Sequence, residues 1–213
     1  MNDMVDNLLR KYKQAPVTFL LIAVCVIVYI ISFFLFGEEM NALQALTLGA
    51  YNPIYVYVNH EYWRLLTSHF IHFGILHVVV NCYSLYGIGS FIESVLKTKK
   101  YVIVIIVSAI FTNGLPYLLF LTNGFGSHLV SGGISGIIFG LIGAIGALAF
   151  TYKNIFLDIF KNLAPNVILM LFISLLVPSI SLSGHVCGLI GGFVGTYFIL
   201  RSKRNTSSHH HVN

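Results

Sequence analysis

The chain has 213 residues, of which 57% are apolar and only 9% are charged, with 12 Lys and Arg against 7 Asp and Glu. Because an ordinary soluble domain carries about 25% charged residues, this composition excludes one and predicts an all-α membrane protein. The basic residues lie in short flanks of apolar segments, which indicates membrane topology and not nucleic-acid binding. The three cysteines lie in separate apolar segments, which argues against a disulfide framework.

Six apolar segments approach the roughly 20 residues that a helix needs to cross a bilayer. They lie near residues 16–36, 69–92, 100–121, 135–151, 163–180 and 183–200. With six crossings, every Lys and Arg except Arg64 falls on the same side as the two chain ends. By the positive-inside rule that side is cytoplasmic. The sequence therefore predicts a six-transmembrane-helix bundle with both termini in the cytoplasm.

This topology divides the chain into three parts. A cytoplasmic N-terminal segment, 1–15, precedes a membrane domain that covers 16–200, and a cytoplasmic polar tail occupies 201–213. Within the membrane domain a long outer loop, 37–68, follows the first span and contains aromatic residues and carboxylates. Because aromatic side chains favour the membrane–water interface, we expect this loop to lie partly in the headgroup layer.

A serine between glycines opens the fourth span, in the sequence Gly133-Ile134-Ser135-Gly136. Glycines before Ser135 let the backbone turn tightly and leave N–H groups free to bind an oxyanion. A helix that begins at Ser135 also points its unpaired amides toward developing negative charge. The alternative is that Gly136 and Gly140 have small-residue spacing that only permits close helix packing. By itself this segment leaves both interpretations open.

A histidine at the start of the last span favours the catalytic interpretation. His185 is followed by Gly188 and Gly192 in a spacing that permits a close helix neighbour. If that neighbour is the fourth span, the imidazole can accept the proton of Ser135. The alternative is a buried histidine bonded to a backbone carbonyl. We expect no carboxylate near the outer ends of these helices, so the pattern predicts a Ser–His dyad.

Polar side chains also open the second span: His69, His72, His77 and Asn81. His77 and Asn81 are four residues apart, share one helical face, and can both donate hydrogen bonds to an oxyanion. Three histidines also suggest a metal site, but they lack an H-E-x-x-H pattern and a carboxylate ligand. We therefore expect no metal here and a structural role for His69, which is also an alternative for His72.

Together these motifs resemble those of the rhomboid intramembrane serine proteases, over the stretch from Glu61 to about Tyr197. Four motifs occur in the family order: Trp63-Arg64 in the first outer loop, His72-(x)4-His77-(x)3-Asn81 in the second span, Gly133-Ile134-Ser135-Gly136 in the fourth, and His185-(x)2-Gly188-(x)3-Gly192 in the sixth.

The resemblance implies a role for each site residue. Ser135 would be the nucleophile, and His185 the general base and then the general acid. His77, Asn81 and the Ser135 backbone N–H would stabilise the oxyanion, and the chemistry requires no cofactor. The other motif residues would be structural: Trp63 and Arg64 as loop anchors, and Gly133, Gly136, Gly140, Gly188, Gly192 and Phe139 in helix packing.

Two positions depart from the family pattern. Phe139, one turn after Ser135, sits where some members have a tyrosine packed beneath the catalytic histidine, so ring packing is kept and the hydroxyl is lost. Lys97, four residues after Glu93, stands where a glycine is common, which puts the tight cytoplasmic turn in doubt but not the catalysis.

The resemblance implies an intramembrane serine endopeptidase of the bacterial plasma membrane. It would cleave transmembrane segments of single- or multi-span membrane proteins near the outer face of the lipid bilayer, through an acyl-enzyme. The fifth span, with Phe172 and with Pro165 and Pro178 at its ends, is a candidate for mobility during substrate entry.

Two other functions remain as alternatives. One is a rhomboid-like non-catalytic protein that binds membrane clients, although such proteins typically lack the serine or the histidine. The other is a small transporter, which would have broken helices and polar groups at the membrane midplane. Here the polar groups cluster toward the outer face, without an internal repeat.

Overall fold

The computed structural model describes residues 13–176 and 180–208, with the backbone alone for 203–208. The predictions for residues 1–12, for Pro178 and for 209–213 concern parts of the chain outside these ranges. The described part contains nine helices besides a short 3-10 helix at Ser68–Phe70: α1 Pro16–Phe36, α2 Ala42–Leu48, α3 Pro53–Val58, α4 Arg64–Thr67, α5 Ile75–Leu96, α6 Thr98–Asn123, α7 Ser135–Thr151, α8 Lys153–Leu176 and α9 Leu182–Ser208.

Five of these helices are long and apolar enough to cross a membrane: α1, α5, α6, α8 and the Leu182–Ser202 part of α9. The shorter α7 has 17 residues, which at 1.5 Å per residue make about 25 Å, less than the roughly 30 Å hydrocarbon core. The prediction of an all-helical membrane protein is confirmed for the described residues. A sixth crossing, through α7, stays a prediction.

The short helix α7 forms the centre of the bundle. Nearly all of its residues are buried, and α6, α8 and α9 pack around it. The closest approach is to α9, where a Cβ atom on Gly192 would overlap the backbone of Gly140, and one on Gly188 would overlap the carbonyl of Gly136. Small residues at such a crossing let two backbones touch. The glycine spacing therefore fixes α9 directly against α7.

A buried carboxylate joins the ends of α1, α5 and α6. Glu93 accepts hydrogen bonds from the Val17 N–H at 3.1 Å, the Thr18 N–H and hydroxyl, both at 2.8 Å, and the Thr98 hydroxyl at 3.0 Å. The Glu93 carboxylate thereby satisfies two N–H groups at the start of α1 that have no partner within the helix. The α5–α6 connection is a tight turn after all, with Lys97 at φ 67° and ψ 151°.

The predicted outer loop 37–68 contains three short helices, α2, α3 and α4. The Arg64 side chain of α4 makes hydrogen bonds to the first of them. The Arg64 side chain is buried and donates to the carbonyls of Leu46 at 2.7 Å and Ala50 at 3.0 Å. It also pairs with Glu61 and lies over the Trp63 ring, 4.6 Å from the centroid. Arg64 thus connects α4 to the C-terminal end of α2 and to Ala50, two residues beyond that end.

The second span begins later than predicted. His69 and His72 precede α5, which starts at Ile75 and not near residue 69. The segment before α5 is held in a loop because the Met40 N–H donates to the Phe73 carbonyl at 2.8 Å. Hydropathy alone does not detect this pairing, because the loop residues are themselves apolar.

The fifth span begins earlier than predicted, at Lys153 and not near 163, because Tyr152 alone connects α7 to α8. Its first turns are helical although they carry polar residues. Pro165 consequently lies inside α8 and not at its end. The last helix also passes the predicted end at residue 200 and continues to Ser208, through part of the predicted tail.

Candidate active site

The serine that opens α7 and the histidine near the start of α9 are in direct contact. The Ser135 Oγ lies 2.8 Å from the His185 Nε2. The histidine is only 3% exposed. Because the two residues are far apart in sequence, their contact depends on the close crossing of α7 and α9. The structure therefore brings together the two residues that the sequence pairs as a dyad.

An aromatic ring supports the imidazole from one side. The Phe139 ring lies parallel to the His185 ring, with centroids 4.2 Å apart and an interplanar angle of 11°. Phe139 is buried and lies one turn along α7 from Ser135. The ring packing expected at this position is present without the tyrosine hydroxyl.

The other ring nitrogen of the histidine also has a partner, which the sequence did not identify. The Ser174 Oγ, on α8, lies 2.9 Å from the His185 Nδ1. The same oxygen lies 2.7 Å from the Met170 carbonyl of its own helix. The sequence contains only a weak indication of this contact, namely that Ser174 is the single serine or threonine of α8. A hydroxyl therefore occupies the place that a carboxylate has in a Ser-His-Asp triad.

Gly133 lies in the loop that precedes α7, and its expected role in helix packing stays a prediction. Its φ is +113°, and a Cβ atom there would lie 2.8 Å from the His77 Nε2. Other residues rarely adopt this positive φ. A side chain at this position would also be too close to the His77 ring, so both features require glycine. The Gly133 N–H donates to the Ser68 carbonyl at 2.9 Å. This loop therefore lies directly against the His77 ring.

The two predicted oxyanion donors, His77 and Asn81, lie on α5 and line the same cavity as the dyad. The Phe73 N–H donates to the His77 Nδ1 at 3.4 Å. In a neutral ring this assigns the proton to Nε2, which is then a donor. The Asn81 amide donates to the His77 carbonyl at 2.9 Å and keeps a second N–H. Among the described residues, the Ser135 backbone N–H donates to no other group.

The two histidines that precede α5 are buried, and each lies near a backbone carbonyl. The His69 Nε2 lies 3.3 Å from the Ala109 carbonyl, and the His72 Nδ1 lies 3.2 Å from the Phe70 carbonyl. Burial lowers the pKa of His69 to about 4 and the pKa of His72 to about 3. Burial thus favours the neutral form of both rings, against the smaller opposing effect of the backbone hydrogen bonds.

A cavity of about 840 Å³ connects these groups. Ser135, His185, His77 and Asn81 all line it. Apolar residues of α5 and α8 supply much of its wall: Leu76, Val80, Ile88, Leu163, Val167 and Met170. A large, mostly apolar space with a few converging polar groups is typical of a binding or active site.

The family model described as Rhomboid domain matches residues 59–202 of this chain. The chain belongs to the rhomboid family. The resemblance inferred from the four motifs is thus confirmed. With its five apolar helices, this rhomboid is an integral, multi-pass membrane protein.

Two named relatives show how far the similarity extends. Rhomboid protease GluP of Bacillus subtilis is 31% identical over 171 residues, which is 77% of this chain and 32% of that protein. Rhomboid protease GlpG of Yersinia pestis is 26% identical over 203 residues, which is 92% of this chain and 67% of that protein. The chain therefore spans about a third of the length of GluP.

Proposed function

We propose that this rhomboid is an intramembrane serine endopeptidase that cleaves transmembrane segments of other membrane proteins near the outer face of the bilayer. The observation that carries the proposal is the 2.8 Å contact between the Ser135 Oγ and the His185 Nε2. A serine becomes an effective nucleophile when an adjacent base takes its proton. The contact lies on the wall of a cavity large enough for a peptide segment.

The reaction has two steps. The Ser135 Oγ attacks the carbonyl carbon of the scissile peptide bond while the His185 Nε2 takes the hydroxyl proton. His185 then gives this proton to the leaving amine, and an acyl-enzyme ester remains on Ser135. Water from the outer face attacks the ester while His185 takes its proton. His185 then returns this proton to the departing Ser135 Oγ, which releases the second product and restores the enzyme. Each proton transfer uses the same nitrogen.

Three donors would stabilise the oxyanion that forms in each step. They are the His77 Nε2–H, the free amide N–H of Asn81 and the backbone N–H of Ser135. The first turn of α7 adds the positive end of its dipole at the same place. Fixed donors that point at the developing charge are worth far more in a water-poor site than in water.

The apolar wall supports a membrane-embedded substrate. A single- or multi-span protein would approach laterally from the lipid, between α5 and α8, where apolar side chains line the cavity. A helical segment must unwind before attack, because its backbone groups are hydrogen-bonded internally and shield the carbonyl. Segments with small or helix-breaking residues near the outer face would therefore be cut most readily.

We propose a topology that fits this access. The membrane domain 16–200 would cross a bacterial plasma membrane six times, with α7 as one crossing, and the segments 1–15 and 201–213 would be cytoplasmic. The distribution of Lys and Arg supports this orientation. It would place the start of α7, and with it Ser135, below the outer surface, because α7 is shorter than the hydrocarbon core.

A fluorophosphonate that labels activated serines tests the proposal without knowledge of the natural substrate. We expect covalent label on Ser135, none in Ser135→Ala, and a rate about 100-fold lower in His185→Ala. His128→Ala is the matched control, because His128 is exposed in the α6–α7 loop, and it should label normally.

Absence of label, together with binding of membrane proteins, would favour a non-catalytic client-binding protein. Ion-coupled uptake into liposomes that survives Ser135→Ala would favour a transporter.

A further inference from the structure

One hydroxyl on α8 lies behind the imidazole without reaching the cavity. The Ser174 Oγ is 2.9 Å from the His185 Nδ1, on the side of the ring opposite to Ser135. Ser174 is 6% exposed and is not among the residues that line the cavity. It therefore touches the imidazole but cannot touch a substrate in the cavity.

The hydrogen bonds around Ser174 determine where the protons lie. A serine hydroxyl has one proton to donate and two lone pairs that accept. The Met170 carbonyl, 2.7 Å from the Ser174 Oγ, can only accept, so the hydroxyl proton points to it. The remaining lone pairs of Ser174 then accept from the His185 Nδ1–H. The neutral imidazole consequently has a bare Nε2, which faces the Ser135 hydroxyl at 2.8 Å.

We propose that Ser174 is a positioning residue that holds His185 in the tautomer and orientation needed to accept the Ser135 proton. This inference rests on the proposed role of the dyad. In the opposite tautomer Nε2 would carry the proton and could not act as a base. Ser174 thus has the orienting role of the triad carboxylate, without a charge.

The position of Ser174 also links the dyad to α8. Within α8, Ser174 is the buried residue, whereas its neighbours Phe172, Leu175 and Leu176 are more than half exposed. The outer part of α8 therefore has few buried apolar contacts. The hydrogen bond between Ser174 and His185 connects this part of α8 to the core of the bundle. Displacement of this part of α8 would remove the Nδ1 partner, so the dyad is fully oriented only while α8 stays packed.

Two substitutions separate orientation from structure. Ser174→Ala removes the acceptor, leaves a buried Nδ1–H without a partner, and should lower kcat by about 10-fold or more. KM should stay unchanged, because Ser174 does not line the cavity. Ser174→Thr keeps the hydroxyl and should restore most of kcat. Ser32→Ala is the matched control: Ser32 is buried and bonded to the Tyr29 carbonyl of its own helix, away from the cavity.

The tautomer itself gives a readout that does not depend on cleavage. In ¹⁵N-histidine-labelled protein, the His185 resonances are assigned by their absence in His185→Ala. We expect a protonated Nδ1 and a bare Nε2 in the unmodified protein and in Ser32→Ala, and a mixture of tautomers in Ser174→Ala. An unchanged tautomer and unchanged kcat in Ser174→Ala would overturn the inference, and so would equal loss of kcat in the Thr and Ala variants.

The same set of variants distinguishes failure of this inference from failure of the proposed function. If Ser135→Ala loses cleavage while Ser174→Ala cleaves like Ser32→Ala, the dyad stands and the role of Ser174 is wrong. If Ser135→Ala cleaves normally, the proposed function is wrong. The tautomer measurement would then still decide whether Ser174 orients the ring.

Discussion

The rings of Phe139 and His185 lie parallel, with centroids 4.2 Å apart. Phe139 is on the same helix as Ser135, so α7 supplies both the hydroxyl at one edge of the imidazole and the surface beneath it. Offset stacking of two rings is worth about 0.5–1.5 kcal/mol beyond burial. The stack therefore limits tilting of the imidazole relative to Ser135.

Substitution of this ring should affect catalysis more than folding. Phe139→Leu keeps an apolar side chain but removes the stack, so we expect kcat to fall by about 2- to 10-fold. Phe139→Tyr keeps the ring and should retain activity if the hydroxyl fits. Phe150→Leu, at the other end of α7, removes a ring that is 71% exposed and should leave kcat unchanged. Equal kcat in Phe139→Leu and Phe150→Leu would contradict a role for the stack.

The α5 side chains should act in the transition state. Loss of one oxyanion donor typically lowers kcat by about 10²- to 10³-fold, so His77→Ala and Asn81→Ala should each reduce kcat strongly and change KM little. Val79→Ala, on an exposed part of the same helix, is the control and should cleave normally. Steady-state cleavage of a membrane substrate measures both constants. An increase in KM with normal kcat would indicate that these residues bind the substrate without stabilising the oxyanion.

The α7–α9 crossing should tolerate no side chain at its centre. A Cβ atom on Gly192 would overlap the backbone of Gly140, so Gly192→Ala should destabilise the fold by about 1–3 kcal/mol and separate the dyad. Gly114→Ala is the contrast, because a Cβ there would meet its nearest atom at 3.8 Å, an ordinary contact inside α6. Thermal unfolding in detergent should show a lower midpoint for Gly192→Ala alone. Equal midpoints would mean that the helices shift apart at no cost.

The turn between α5 and α6 contains stored strain. Lys97, at φ 67° and ψ 151°, occupies a region that essentially only glycine adopts without cost. Lys97→Gly should therefore stabilise the protein by about 1 kcal/mol, after the entropy that glycine loses on folding. Lys97→Ala removes the charge but keeps the Cβ atom, and it should give no such gain. A higher unfolding midpoint in both variants would assign the effect to the charge.

The sequence predicted the site residues that interrupt apolar segments, but not the contacts that depend on how the helices pack. Ser135 and His185 were identifiable because polar groups that open apolar segments are costly unless they have a partner. Ser174 was not identifiable from the sequence, because its contact with His185 depends on the rotation of α8 relative to α9. Hydropathy does not determine this rotation. The start of α8 was missed for a related reason: apolar residues mark the buried length, while the helix continues into the polar turn after Tyr152.

At the Lys97 turn the structure forms a conformation that the local sequence disfavours. The absence of glycine put a tight turn in doubt, yet the Glu93 bonds to α1 and to Thr98 hold both sides of the connection in place. Tertiary contacts thus impose a backbone conformation that local preference opposes.

Cleavage of a single-span substrate in liposomes, compared between the unmodified protein and Ser135→Ala, tests the central claim most directly. Ser32→Ala serves as the control for loss of a buried hydroxyl elsewhere. We expect the unmodified protein and Ser32→Ala to cut the substrate within its membrane segment, and Ser135→Ala to leave it intact. Equal cleavage by the unmodified protein and Ser135→Ala would contradict the assignment of Ser135 as the nucleophile.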